Sequence, residues 1–238
     1  MTRFAASLLL ALLIPLDAAA DALYAPTMIG ASPRISDYGT STGAGFRAFD
    51  NFTVETGGTV ERVTWRGFWL DLNSPTPAPA PSPDTLSWNI AFHASGGAAP
   101  GAALASETFA AASVTSTFLG PMVFTLGSTF NVLLYELSID LATPFVASAG
   151  TEYWVSVLSL SDAYYPAFAL MGATGGDDSS FQQQLGPLMS IVNETTVARD
   201  RAIFLDGTLR AVPEPATLPL ALAGLALLGA CLRLQRRT

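Results

Sequence analysis

The chain has 238 residues, 13% of them charged and half hydrophobic, with a formal net charge of −8; all 11 basic residues are arginines. Between positions 23 and 212 stand 16 acids and 7 arginines, which argues against nucleic acid or anionic lipid as a partner, since both need a basic footprint. A single cysteine (Cys231) and a single histidine (His93) exclude an internal disulfide framework and any multi-histidine metal site.

Residues 1–22 read MTRFAASLLLALLIPLDAAADA. Arg3 supplies a positive start, residues 4–16 an apolar stretch too short to span a membrane, and small residues follow. This is the order of a signal peptide, with cleavage after Ala20 or after Ala22. An uncleaved N-terminal anchor is the alternative, and Pro15 with the small-residue run speaks against it.

The middle alternates with period two between Gly and Pro punctuation, the signature of strands. In 49–54, Phe49, Asn51 and Thr53 oppose Asp50, Phe52 and Val54. The run 60–70 places Val63, Trp65, Gly67 and Trp69 on one side and Phe68 and Leu70 on the other, so its end is expected to be buried on both faces. Residues 73–83 (NSPTPAPAPSP) are barred from a sheet ladder by alternate prolines and are expected to form a protruding loop rather than an interdomain linker. In 86–93, Leu86, Trp88, Ile90 and Phe92 share a face. Alanine-rich 98–112 is broken by Pro100-Gly101 and lacks an apolar stripe. Further strands are expected near 114–119, 122–126, 133–141, 152–160, 167–171, 189–197 and 202–209. Nine or ten strands and no helical period predict an all-β domain over 23–210. The expected fold is an antiparallel, jelly-roll-like β-sandwich flanked by a signal-peptide helix and a C-terminal transmembrane helix.

Residues 211–238 read AVPEPATLPLALAGLALLGACLRLQRRT. Val212-Pro213-Glu214-Pro215 is stiff and extended. Residues 218–232 are apolar within a transmembrane helix expected over 218–234, a run of about 15–17 residues spanning only ~22–26 Å. Arg233, Arg236 and Arg237 close the chain and favour a cytoplasmic C-terminus. These three features in this order resemble the PEP-CTERM sorting signal. The resemblance implies Sec export, transient anchoring in the inner membrane through the helix, and recognition by an exosortase, a membrane transpeptidase-like enzyme that cleaves near 213–215. It also implies a Gram-negative host making extracellular polysaccharide. A plain tail anchor is the alternative. A looser cadence (Ala48-Phe49-Asp50-Asn51-Phe52, Val63-Thr64-Trp65-Arg66-Gly67, Gly150-Thr151-Glu152-Tyr153-Trp154, Ala202-Ile203-Phe204-Leu205-Asp206-Gly207) resembles an uncharacterised ectodomain that recurs in PEP-CTERM proteins and implies no activity.

Candidate sites are sparse. His93 falls on the polar face of its strand, which reads as a surface histidine. Trp65, Trp69, Trp88 and Trp154 are either sugar platforms or core; Trp65 and Trp69 share a face roughly 13 Å apart. Tyr164 and Tyr165, at a loop, are the other aromatic candidates. Asp177 and Asp178 on a Gly-rich loop suit a hard cation such as Ca²⁺ but lack EF-hand spacing. Glu107, Glu136, Asp140 and Glu152 are available for glycoside hydrolysis, with no pair singled out. The sequons at Asn51 and Asn193 are discounted for a bacterial chain. No cofactor and no catalytic set are expected. The leading reading is a non-enzymatic surface or matrix protein; the others are a carbohydrate-binding module for extracellular polysaccharide and a hydrolase.

Overall fold

With apolar side chains recurring every second residue, the chain has faces to bury only as paired strands. The structure, a computed structural model, describes residues 20–210 apart from 75, 83, 127 and 164. In chain order the strands are β1 (Asp21–Tyr24), β2 (Thr27–Met28), β3 (Arg34–Ile35), β4 (Asp37–Gly39), β5 (Ala44–Thr53) and β6 (Gly58–Leu70). There follow β7 (Ser87–Ser95), β8 (Pro100–Ala110), β9 (Thr115–Leu126), β10 (Ser128–Ala147), β11 (Glu152–Ser161) and β12 (Ala167–Leu170). The last are β13 (Gly172–Thr174), β14 (Ser179–Leu185), β15 (Ile191–Ala198), β16 (Asp200–Arg201) and β17 (Ile203–Leu209). The described chain is all-β. None of its helices is long and apolar enough to cross a membrane. The signal segment up to residue 19 and the whole tail, including 218–234, lie outside the described residues.

One sheet runs β1-β17-β6-β10-β9, with β12 on β6 and β3 on β12. A second runs β15-β14-β5-β4-β11-β7-β8, and a small third sheet joins β16, β13 and β2. Pairing departs from the expected antiparallel pattern where β4 runs parallel to the end of β11. The two large sheets pack face to face over one core: Trp65 of β6 lies 5.1 Å from Trp88 of β7, and Phe145 of β10 stacks at 4.3 Å on Phe92 of β7. Each large apolar side chain buried this fully contributes about 1.5–3 kcal/mol, and aromatic pairs add to it.

The end of β6 is buried on both faces, as its pattern predicts. Trp69 packs into the intersheet core, while Phe68 and Leu70 join Phe124 and Phe130 of the β9–β10 hairpin in a second cluster. Gly67 belongs here because a Cβ would stand 2.3 Å from the Ala169 carbonyl of the neighbouring β12. No described residue of the proline-rich stretch is in a strand, and the stretch carries the chain from β6 in one sheet to β7 in the other; rather than protruding throughout, it packs back, with Ala78 buried against the core.

Three expectations need correction. The alanine-rich segment is a strand, β8, in which Ala105, Glu107 and Phe109 are half-buried and alternate with exposed neighbours; alanine gives too little contrast for that alternation to show in the sequence. Segments 114–119 and 122–126 are one strand, β9, with a register irregularity opposite Leu134/Tyr135. His93 is buried at 8% exposure, covered edge-on by Phe49 at 5.3 Å. The face assigned to solvent carries a small aromatic layer of Phe49, Trp154 and Phe181.

Both ends of the described chain meet. β1 pairs with β17 from Asp21 opposite Gly207, and β17 ends with Leu209 opposite Gly58. The strand starts at Asp21, two residues ahead of the boundary set at 23. Cleavage after Ala22 would remove its first two residues, whereas cleavage after Ala20 leaves it whole.

Candidate functional site

Two cavities lie towards opposite ends of the strands. The first, of about 280 Å³, is lined by Tyr24 of β1, Asn51, Phe52 and Thr53 of β5, Glu152 of β11 and the turn of Gly175, Gly176 and Asp177 after β13. Asn51 sits on the outward side of β5, and its amide donates to Asp177 Oδ2 at 2.9 Å and to Glu152 Oε2 at 3.4 Å. Ser95 donates to the other Glu152 oxygen at 2.5 Å. Beneath the turn, the Tyr24 hydroxyl donates to Asp50 Oδ2 at 2.7 Å, and the Gly176 N–H donates to Asp200 Oδ2 at 2.8 Å.

Burial dominates the electrostatics below this turn. It pushes the Asp50 carboxyl well above the usual range, against the lowering effect of the Tyr24 hydroxyl and the Arg201 main chain. Asp200 is raised by burial, with Asp177 and Asp178 adding to the shift. Tyr24 is raised by burial and then by the Asp50 charge, so it keeps its proton and acts as a donor.

The second cavity, of about 310 Å³, is apolar. Trp69, Trp88, Leu86 and Leu137 line it together with Ala80 and Pro81 of the proline-rich loop and Ala111, Ala112, Val114 and Ser116. Trp69 is 2% exposed, and its indole N–H finds no acceptor.

The sequence candidates are thus redistributed. Trp65 has no exposed surface and offers no face for a sugar to stack on. Trp154 is buried beside Phe181. Trp69 and Trp88 border open space, but as parts of an intersheet cavity. Tyr164 lies outside the described residues, and Tyr165 is half-buried. The neighbours Asp177 and Asp178 do not converge. Asp177 accepts from Asn51 and from the Ser179 N–H, whereas Asp178 pairs with Arg199 at 3.2 Å. The four acids considered for hydrolysis are spread over the fold. Glu107 accepts the N–H groups of Ala142 and Thr143 where β10 loses register, Glu136 pairs with Arg66, and Asp140 with Arg62. Glu152 alone among the four borders a cavity described above.

The residues that sequence reasoning missed are Asp50 and Asp200. A signal existed for the first: Asp50 alternates in phase with Phe52 and Val54, so a buried Phe52 face carries a buried carboxylate. Asp200, in a two-residue strand, left none.

Residues 211–237 match the PEP-CTERM protein-sorting motif. No curated protein and no solved structure matches the chain.

Proposed function

We propose that this chain is a non-catalytic protein of the cell surface or extracellular matrix, exported through the Sec machinery and sorted by an exosortase. On this reading the signal peptide lies within residues 1–22 and is cut after Ala20, and residues 211–238 are the sorting tail. Segment 218–234 holds the chain transiently in the inner membrane, and the ectodomain between is a jelly-roll-like β-sandwich. The observation that carries the proposal is the sorting motif at 211–237, directly behind a β-domain whose last described strand ends at Leu209. In support, Glu107, Glu136 and Asp140 are each committed to backbone donors or arginines rather than gathered around a substrate space.

The test is the intact mass of the protein recovered from its host's envelope and medium, beside a variant with Pro213, Glu214 and Pro215 changed to alanine. The expected wild-type mass begins at Asp21 and lacks the residues beyond the Pro-Glu-Pro element, with the variant retained full-length in the membrane fraction. A tail present in both forms would make this a plain tail-anchored domain.

A carbohydrate-binding role is the second reading, favoured by the Trp69/Trp88 cavity under the proline-rich loop. Trp69 also packs on Phe168 and Tyr135, so the cleaner probe is to obstruct the cavity with Ala112→Phe. Affinity for the host's extracellular polysaccharide should then fall at least ~10-fold, equivalent to about 1.4 kcal/mol. A wild-type protein that binds no polysaccharide would remove this reading.

A further inference from the structure

Asp50 and Asp200 are both fully buried, and in each the Oδ1 atom has no hydrogen-bond partner. The neighbouring buried Arg201 acts on them only through space and through its main chain, not by a guanidinium hydrogen bond. The Arg201 guanidinium donates to Ser180 Oγ and to the carbonyls of Ser32, Ala198 and Arg199, leaving both carboxylates without a bonded counter-charge. A carboxylate oxygen removed from water and left bare is costly to hold, and a cation is the partner that relieves it.

The contacts of Gly176 bring two of the oxygens together. A Cβ on Gly176 would stand 2.8 Å from the Tyr24 hydroxyl oxygen and 3.0 Å from Asp200 Oδ1. Both oxygens therefore lie against Gly176, too close for a side chain at that position, and Tyr24 and Gly176 line the first cavity. The Tyr24 hydroxyl in turn touches Asp50. Among the described residues no three His, Cys, Asp or Glu side chains are grouped to hold a metal, so two carboxylates supply the charge and neutral oxygens and water the rest of the shell. Oxygen-only donors in an irregular shell suit Ca²⁺, which accepts six to eight oxygens at variable angles; Mg²⁺ demands near-octahedral geometry.

We propose that Asp50 and Asp200, with the Tyr24 hydroxyl, hold a Ca²⁺ ion beneath the turn of Gly175, Gly176 and Asp177. The ion ties β1, β5, β16 and that turn together, and it acts independently of how the chain is sorted. The expected donors differ from the acidic pair Asp177 and Asp178 that stands out in the sequence.

The test is calorimetric titration and thermal unfolding of the full-length protein in detergent, stripped with chelator, then supplied with CaCl₂ or MgCl₂. At a hundredfold excess over Kd, Ca²⁺ should raise Tm by roughly 5 °C, and Mg²⁺ by less. Asp200→Asn and Gly176→Ala should each lower Ca²⁺ affinity at least ~10-fold, while Asp178→Asn leaves it unchanged. Gly176→Ala retains every carboxylate, so its loss of binding locates the ion; it also decides the matter should Asp200→Asn fail to fold. A wild-type titration without heat or Tm shift would overturn the proposal, as would Gly176→Ala binding like wild type.

Discussion

Trp88→Ala should remove about 4 kcal/mol of stability, near the upper end for a buried aromatic cut to alanine. Trp88 has no exposed surface. Its ring leaves β7 of the second sheet and meets three rings of the first: Trp65 at 5.1 Å, Trp69 at 6.2 Å and Phe168 at 4.7 Å. Those partners come from β6 and β12, which are themselves paired, so they have little freedom to close the void. The void would also join the cavity that Trp88 already lines, admitting water to the intersheet core. Since domains of this size hold about 5–15 kcal/mol in all, the variant should unfold at a much lower urea concentration with an unchanged slope. Urea melts followed by near-ultraviolet circular dichroism measure this. A loss below about 1.5 kcal/mol would mean that the sheets are not joined through this ring.

The second large effect is on pH. Asp37 of β4 is fully buried. It accepts from Ser161 Oγ at 3.1 Å and from the Phe168 N–H at 3.3 Å. Burial outweighs these donors and raises its carboxyl to about 6. The sign follows from which state keeps the proton. Below about pH 4 both states carry it; between about 4 and 6 only the folded state does; above 6 both have lost it, and the fold carries the full cost of a buried charge. Stability from this group is therefore greatest in acid and falls by about 3 kcal/mol as pH rises from 4 to 6. The raised Asp50, Asp200 and Asp206 push in the same direction, and the lowered His93, desolvated beside Phe49, pushes the other way. Asp37→Asn isolates the Asp37 share. The carbonyl oxygen of the new side chain can still accept from Phe168, and Ser161, whose single hydroxyl proton is shared between Asp37 and the Ala163 carbonyl, can keep it on Ala163 and receive the new amide. Melting curves from pH 4 to 7.5 should show Asp37→Asn flattening the profile and raising Tm at pH 7.5. An unchanged profile would show that Asp37 is ionised without penalty.

The sequence spoke clearly wherever side chains differ strongly in hydrophobicity. Trp88, Ile90 and Phe92 pointed to one buried face, and Phe68 with Trp69 pointed to a strand covered on both sides. It was silent where that contrast fails. The alanines of β8 and the glutamines of β14, Ser179–Leu185, form paired strands because their neighbours need partners, a tertiary demand that no local pattern records. The same holds for the cavities. Alternation gave Trp65 and Trp69 a common face but could not tell an outer face from the intersheet one. The adjacency of Asp177 and Asp178 suggested a shared ion, yet Asp178 turns into the left-handed region (φ 60°) at the bend, and each found a different partner. The buried carboxylates converge from strands about 150 positions apart in the chain, a separation at which periodicity carries no information.

β17 delivers the chain at Leu209, beside Gly58, and the proline-rich loop departs after Leu70 at the other end of the same β6 strand. Twelve residue steps of extended backbone separate the two points, a reach of about 40 Å. Whatever the tail is fastened to, β6 therefore works as a mast. It raises the loop and the tryptophan-lined cavity clear of the attachment point and keeps the Asp50/Asp200 cluster nearer its foot. The carboxylate end thus faces the side where the chain continues into residues 211–238, and the aromatic end faces away from it, so a probe bulky enough to be hindered near the tail would still reach the tryptophan-lined cavity.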